Sequence, residues 1–217
     1  MGIALHFAEL CLSPTKAPRL PAGANRVVYA REGEASIGGK RLPADEARFL
    51  SARETARLEG EGILWIWGVL GEGDERPLAD GAKTKLAAAV RTLDRERESA
   101  FLLRCDSVAF PAGGCAYTHV HQGPGIRALT EGSIRIDSEG NSHLYGPGEA
   151  WFESGPQPVF AAADPALRTR FIRVMLLPLA CKGKSSIRYI LAEDEKKPKT
   201  QNYRGYCEDE IDLGAWL

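Results

Sequence analysis

Long apolar runs are missing from this sequence. No stretch approaches the ~20 consecutive apolar residues that a membrane-spanning helix requires. The opening residues carry Glu9 early and no basic segment followed by an apolar run, so neither a spanning helix nor a signal peptide is expected. Charge of one sign is missing as well. Against 28 Lys and Arg stand 29 Asp and Glu, a formal net charge of −1. That balance leaves no electrostatic footprint for nucleic acid or an anionic membrane surface. Paired cysteine spacing is absent too: Cys11, Cys105, Cys115, Cys181 and Cys207 are scattered, odd in number and never arranged Cys-x-x-Cys. Free thiols in a reducing compartment fit this pattern better than a disulfide framework, so a cytoplasmic protein is expected.

Histidine is scarce, and its placement is informative. Two of the four histidines, His119 and His121, stand one residue apart. On a strand, period two puts both rings on one face, where they can share a metal ion. The same parity brings Tyr117 and Cys115 to that face, although Cys115 reads more readily as a small buried apolar residue. The turn Gln122-Gly123-Pro124-Gly125 follows, then a second strand from Ile126. A bare His-x-His is weak, because solvated or hydrogen-bonded histidines give the same letters.

The rest of the chain reads as all-β. The 217 residues suffice for one large or two small domains. Short apolar segments at 3–12, 26–30, 35–37, 47–50 and 63–70 are cut by Gly and Pro, the punctuation of a sandwich or barrel.

The histidine pair sits in a longer frame. Gly113, five residues, His119, one residue, His121, three residues, Gly125, six residues and Gly132 resemble the first motif of the cupin superfamily, G-x5-H-x-H-x3-E-x6-G. Gly125 stands where that family has its metal-binding glutamate. A second block, Tyr145-Gly-Pro147-Gly148-Glu-Ala-Trp151-Phe-Glu153-Ser-Gly-Pro156-Gln-Pro158-Val159, is similar to the second cupin motif. There Trp151, or in an alternative spacing Val159, occupies the place of the last histidine ligand. The resemblance implies double-stranded β-helix (jelly-roll) barrels with few helices, and a metal-ligand set that is incomplete.

The frame also repeats. Pro21-Ala-Gly23 recurs as Pro111-Ala-Gly113, and 27–37 resembles 126–136, a period of about one hundred residues. Gly23 to Gly33 is nine residues shorter than Gly113 to Gly132, and the missing piece would hold the His-x-His. A bicupin-like tandem is therefore expected, with a degenerate structural half at 1–70, a connector at 71–98, the cupin domain at 99–178 and a tail at 179–217 that packs on the barrel. Residues 85–93 fit either a helical face or a strand, and a strand is preferred. Trp65 and Trp67 share a strand face and read as core or interface. The apolar strand 3–12 is expected to be exposed and to invite pairing, so a monomer or homodimer is expected. The terminal patch with Trp216 is expected to be ordered.

Strand parity anchored on the histidines makes Tyr117, His119, His121, Arg127, Trp151 and Glu153 inward, with Gln122 at the rim. Two histidines and Glu153 satisfy a two-histidine, one-carboxylate set on Fe, Ni, Zn or Cu. Glu153 and Tyr117 are the catalytic candidates, while Arg127, Trp151 and Gln122 are the substrate-binding ones. Arg127 suits a carboxylate held bidentately, which points to a small anionic metabolite. Arg127 and Glu153 equally form a structural ion pair. His143 is expected at the surface, and His6 and Glu131 receive no role. Two functions follow: a metal-dependent enzyme of the oxygenase, lyase or isomerase kind, or a non-catalytic cupin that binds or senses an anionic ligand. A purely structural storage-type bicupin fits the paired copies but not the polar pocket.

Overall fold

The structure is a computed structural model that describes residues 2–93 and 99–213. It divides into two compact units, Met1–Val90 and Arg91–Asp212. Strands make up 60% and helix 4%, so the protein is all-β.

The first unit is built on a seven-stranded antiparallel sheet: β1 (Ile3–Leu12), β2 (Arg19–Leu20), β3 (Asn25–Ile37), β4 (Lys40–Pro43), β5 (Ala47–Leu50), β6 (Ala56–Gly71) and β7 (Lys83–Val90). Its main path is β4-β3-β6-β1-β7, with β2 added on β6 and β5 on β3. Gly38 and Gly39, at φ of 57° and 75°, close the β3–β4 hairpin with the two positive-φ residues a tight primed turn needs. One face of the sheet buries Leu10, Val28, Ala30, Leu64 and Ile66 in a common core. Trp65 and Trp67 point the other way, fully buried and packed on Phe7.

Two expectations change here. The segment 3–12 is not an exposed edge, because β1 lies between β6 and β7 and is hydrogen-bonded to both. Residues 83–90, placed by the sequence in the connector, supply that cover as a strand of the first unit. The ambiguous apolar residues of this segment thus serve a sheet, and Lys83, Thr84 and Lys85 give the new edge a polar start.

The second unit comprises β8 (Ala100–Phe110), β9 (Cys115–His121), β10 (Gly125–Glu131), β11 (Ile134–Ser138), β12 (Asn141–Tyr145), β13 (Ala150–Glu153), β14 (Val159–Ala163), β15 (Thr169–Pro178), β16 (Ile187–Tyr189) and β17 (Asn202–Asp212). A short helix α1 (Ala192–Lys196) lies between the last two strands. The strands form two five-stranded sheets, β13-β10-β15-β8-β17 and β12-β11-β14-β9-β16. Period-two alternation is clean in β13 and β14, where every second residue is buried. The inward residues of both sheets, among them Phe110, Leu129, Ile134, Val159 and Phe171, form one apolar core. This is a jelly-roll arrangement.

The segment after Pro178 is not a separate domain. It contributes one strand to each sheet, β16 beside β9 and β17 beside β8. Residues 215–217, with Trp216, lie outside the described residues. None of the five cysteines is joined in a disulfide.

Candidate functional site

β9 carries the two histidines into the barrel through an irregularity. Against β14, Val159 is opposite His119 but Ala161 is opposite Ala116, so β9 has one residue more than its partner between those pairs. This β-bulge breaks the strand's parity. Ala116 and His119 consequently share the inner face, and His121 follows two residues on. Tyr117, predicted inward by simple alternation, faces away from the cavity. Its ring instead carries Lys197 Nζ at 4.7 Å and Lys199 Nζ at 5.7 Å. Cys115 does not line the cavity, and exposed Gln122 donates to Ser185 O at 3.3 Å rather than forming a rim.

His119, His121, Arg127, Trp151 and Glu153 come together at one cavity of about 20 Å³, enough for a single water or ion. Each is at most 9% exposed. His119 Nδ1 lies 2.7 Å from Tyr117 O. A carbonyl only accepts, so Nδ1 carries the proton and Nε2 is left with a free lone pair. His121 Nε2 lies 3.2 Å from His119 Nε2 and 3.2 Å from Glu153 Oε2. His119 Nε2 accepts, so His121 Nε2 is the donor to it, and the buried Nδ1 of His121 has no partner among the described residues.

Glu153 is heavily engaged. Its Oε1 accepts from Trp151 Nε1 at 2.8 Å, and its Oε2 lies 2.7 Å from Arg127 Nη2. The latter contact is an ion pair without hydrogen-bond alignment, since neither atom makes a well-formed hydrogen bond. Arg127 Nη1 donates to Gly125 O at 2.7 Å. Burial lowers the Arg127 pKa to about 10 against the raising effect of Glu153, so the guanidinium remains charged. For Glu153, burial raises the pKa, but Arg127, aided by the histidines, outweighs it and holds the carboxyl well below the usual range. Burial lowers the pKa of His119, and that of His121 to about 3, so both rings are neutral near pH 7.

Two further charged residues line this cavity or support it, and the parity argument missed them. Arg173 lies opposite Arg127 across β10 and β15, and Asp106 holds it with bonds of 2.6 and 3.0 Å. Their signal in the sequence is a charge interrupting otherwise apolar strand runs, Phe171-Ile-Arg-Val-Met and Leu103-Arg-Cys-Asp. A larger cleft of about 230 Å³ shares Ile136, Trp151, Glu153 and Val159 with the cavity. His143 stands on its rim, exposed but near Tyr145, which stacks on Trp151 at 4.9 Å.

The fold has known counterparts. A salicylate 1,2-dioxygenase from Pseudaminobacter salicylatoxidans matches 85% of this chain and 74% of its own at 13% identity, TM-score 0.54. A variant of that enzyme in complex with gentisate matches 85% and 72% at 12% identity, TM-score 0.55. A conserved protein of unknown function from Pseudomonas aeruginosa matches 81% and 80% at 12% identity, TM-score 0.50. The chain has a cupin fold. Comparison with family models and with curated proteins found no match.

Relative to the cupin ligand set, the barrel departs at identifiable places. Both positions offered for the last histidine, Trp151 and Val159, line the cavity, and neither side chain can ligate a metal. At Gly125, an added Cβ would meet Val174 O at 2.7 Å, Met175 Cγ at 2.8 Å and Arg127 Nη1 at 3.1 Å. Arg127 thus fills the space through which a glutamate at 125 would extend. Among the described residues no group of three or more His, Cys, Asp or Glu is arranged to hold a metal ion as it stands. What is arranged is a pair of neutral imidazoles: His119 is fixed by a backbone carbonyl with its Nε2 unprotonated, as metal binding requires, while the proton on His121 Nε2 would have to move to its unpartnered Nδ1 for that nitrogen to ligate. The donor set fits a metal held by two nitrogens, with Glu153 the carboxylate within reach of His121.

Proposed function

We propose that the second barrel is a metal-assisted site for a small anionic metabolite, with His119 and His121 holding one divalent transition metal ion. The observation that carries this reading is the 3.2 Å approach of the two Nε2 atoms, with Nδ1 of His119 anchored on Tyr117 O. Imidazole suits Fe, Ni, Cu and Zn alike. Such an ion supplies Lewis acidity to a carbonyl or a bound water.

The charges of the surrounding residues favour an anionic partner. Glu153 and Arg127 neutralise one another, as do Asp106 and Arg173. A divalent ion on two neutral rings would then be uncompensated in a buried site, and an anionic ligand provides the balance. The cleft that ends on Trp151 and Glu153 is the approach for such a molecule, and Arg127 is the cation behind that wall.

A second reading, a cupin that binds an anionic ligand without metal, is favoured by Arg127 standing in front of Gly125. Elemental analysis separates the two. Untagged protein supplemented with Fe, Ni, Cu or Zn should retain about one equivalent of one of them, and His119→Ala/His121→Ala protein should retain none while still folding. Protein that stays empty with all four metals hands the site to the second reading.

A further inference from the structure

Three arginines are buried among the described residues: Arg26, Arg127 and Arg173. Arg127 has Glu153 and Arg173 has Asp106. Arg26, with no exposed surface, has no carboxylate. Its Nη1 donates to Ala24 O at 3.0 Å, whereas Nε and Nη2 meet no hydrogen-bond partner. The charge that acts on it comes from Arg76, of the same sign. Burial and then Arg76 lower its pKa to about 10, which leaves it protonated at neutral pH.

The registers show what stands opposite it in each unit. β3 has an irregularity against β6 between Ala30 and Glu32, as β10 has against β15 between Leu129 and Glu131. With those two places aligned, Arg26 corresponds to Gly125. Arg26 is paired across to Leu50 of β5, and Gly125 is paired across to Glu153 of β13. Leucine therefore stands in the first unit where the second unit has its buried carboxylate. Val28 stands where the second unit has Arg127, so the first unit carries its buried cation two residues earlier on the same strand, with no internal anion opposite it.

We infer that the first unit binds a small inorganic anion at Arg26, on the Nε and Nη2 edge of the guanidinium and beside Arg76. A buried guanidinium with two unmet donors is strongly destabilising unless acceptors reach it. An oxyanion or halide supplies acceptors and charge together. Arg76 adds a second cation: its Nη2 is held by Asp74 at 2.6 Å, and its Nη1 reaches the backbone at Gly23, 2.5 Å from where a Cβ would stand. Glycine at 23, with φ of 102°, leaves that approach open.

The test uses the full chain with two probes. Melting temperature is followed against inorganic phosphate at constant ionic strength, and crystals soaked in bromide are examined for anomalous scattering. Binding to the folded state alone raises the melting point saturably. The expected result is such a rise for the natural sequence and a bromide peak within hydrogen-bond distance of Arg26. Arg26→Met should weaken the response at least tenfold. Leu50→Glu, which supplies an internal carboxylate, should remain folded and lose the response as well, so the proposal stays testable if Arg26→Met does not fold. A flat melting point in phosphate, an equal response in both variants, or bromide absent from Arg26 would overturn it.

Discussion

Arg127 Nη2 lies 2.7 Å from Glu153 Oε2, with both groups shut off from solvent inside the second barrel. Removing one partner leaves the other as an uncompensated buried charge, a loss of about 3–5 kcal/mol. Arg127→Met should therefore lower the stability of metal-free protein by about that amount. Arg127→Met/Glu153→Leu should recover most of it. Denaturant unfolding of the three proteins checks this, and a double variant no more stable than the single one would contradict the pairing.

Acid should weaken the metal-free protein before the carboxylates titrate. His121 has its pKa lowered to about 3 by burial, while an unfolded histidine titrates near 6.5. Between those values the unfolded chain binds the extra proton, so stability falls as pH falls. From pH 7.5 to 5 this one ring accounts for a loss of about 2 kcal/mol. The depressed Glu153 carboxyl has the same sign and adds its share at lower pH, below the unfolded carboxylate range. His121→Gln should flatten the upper part of the profile, as chemical denaturation at the two pH values will show.

Placing a glutamate at 125, as in the cupin motif, should not complete a cupin ligand set. A side chain at 125 begins 2.7 Å from Val174 O, a backbone atom of the neighbouring strand that cannot swing away. Gly125→Glu should therefore destabilise the barrel by about 1–3 kcal/mol, as overpacking does. It should also bind no more metal than the natural sequence. Melting temperature and metal content of the variant are the readouts.

Much of this arrangement was legible from spacing. The frame from Gly113 to Gly132 located the histidine strand, and alternation brought Arg127, Trp151 and Glu153 to the same cavity because β10 and β13 are regular where they pair. Alternation failed at Tyr117 because a bulge inserts one residue into β9, and no letter in Cys115-Ala-Tyr-Thr-His119 announces it. Asp106 and Arg173 were missed because each looks like an isolated polar residue until β8 and β15 are paired. The segment 83–90 was placed in a connector because an eight-residue edge strand with alanines has little periodicity to read. In the first unit, the significance of Leu50 depends wholly on its register with Arg26.

The central claim is that one metal ion binds between His119 and His121. Crystals grown with the retained metal, measured on both sides of its absorption edge, test it most directly. A single anomalous peak is expected, bonded to the Nε2 atoms of both histidines at about 2.0–2.1 Å, as imidazole ligands require. A peak elsewhere in the barrel with the histidine pair empty, or no peak in supplemented protein, would contradict it.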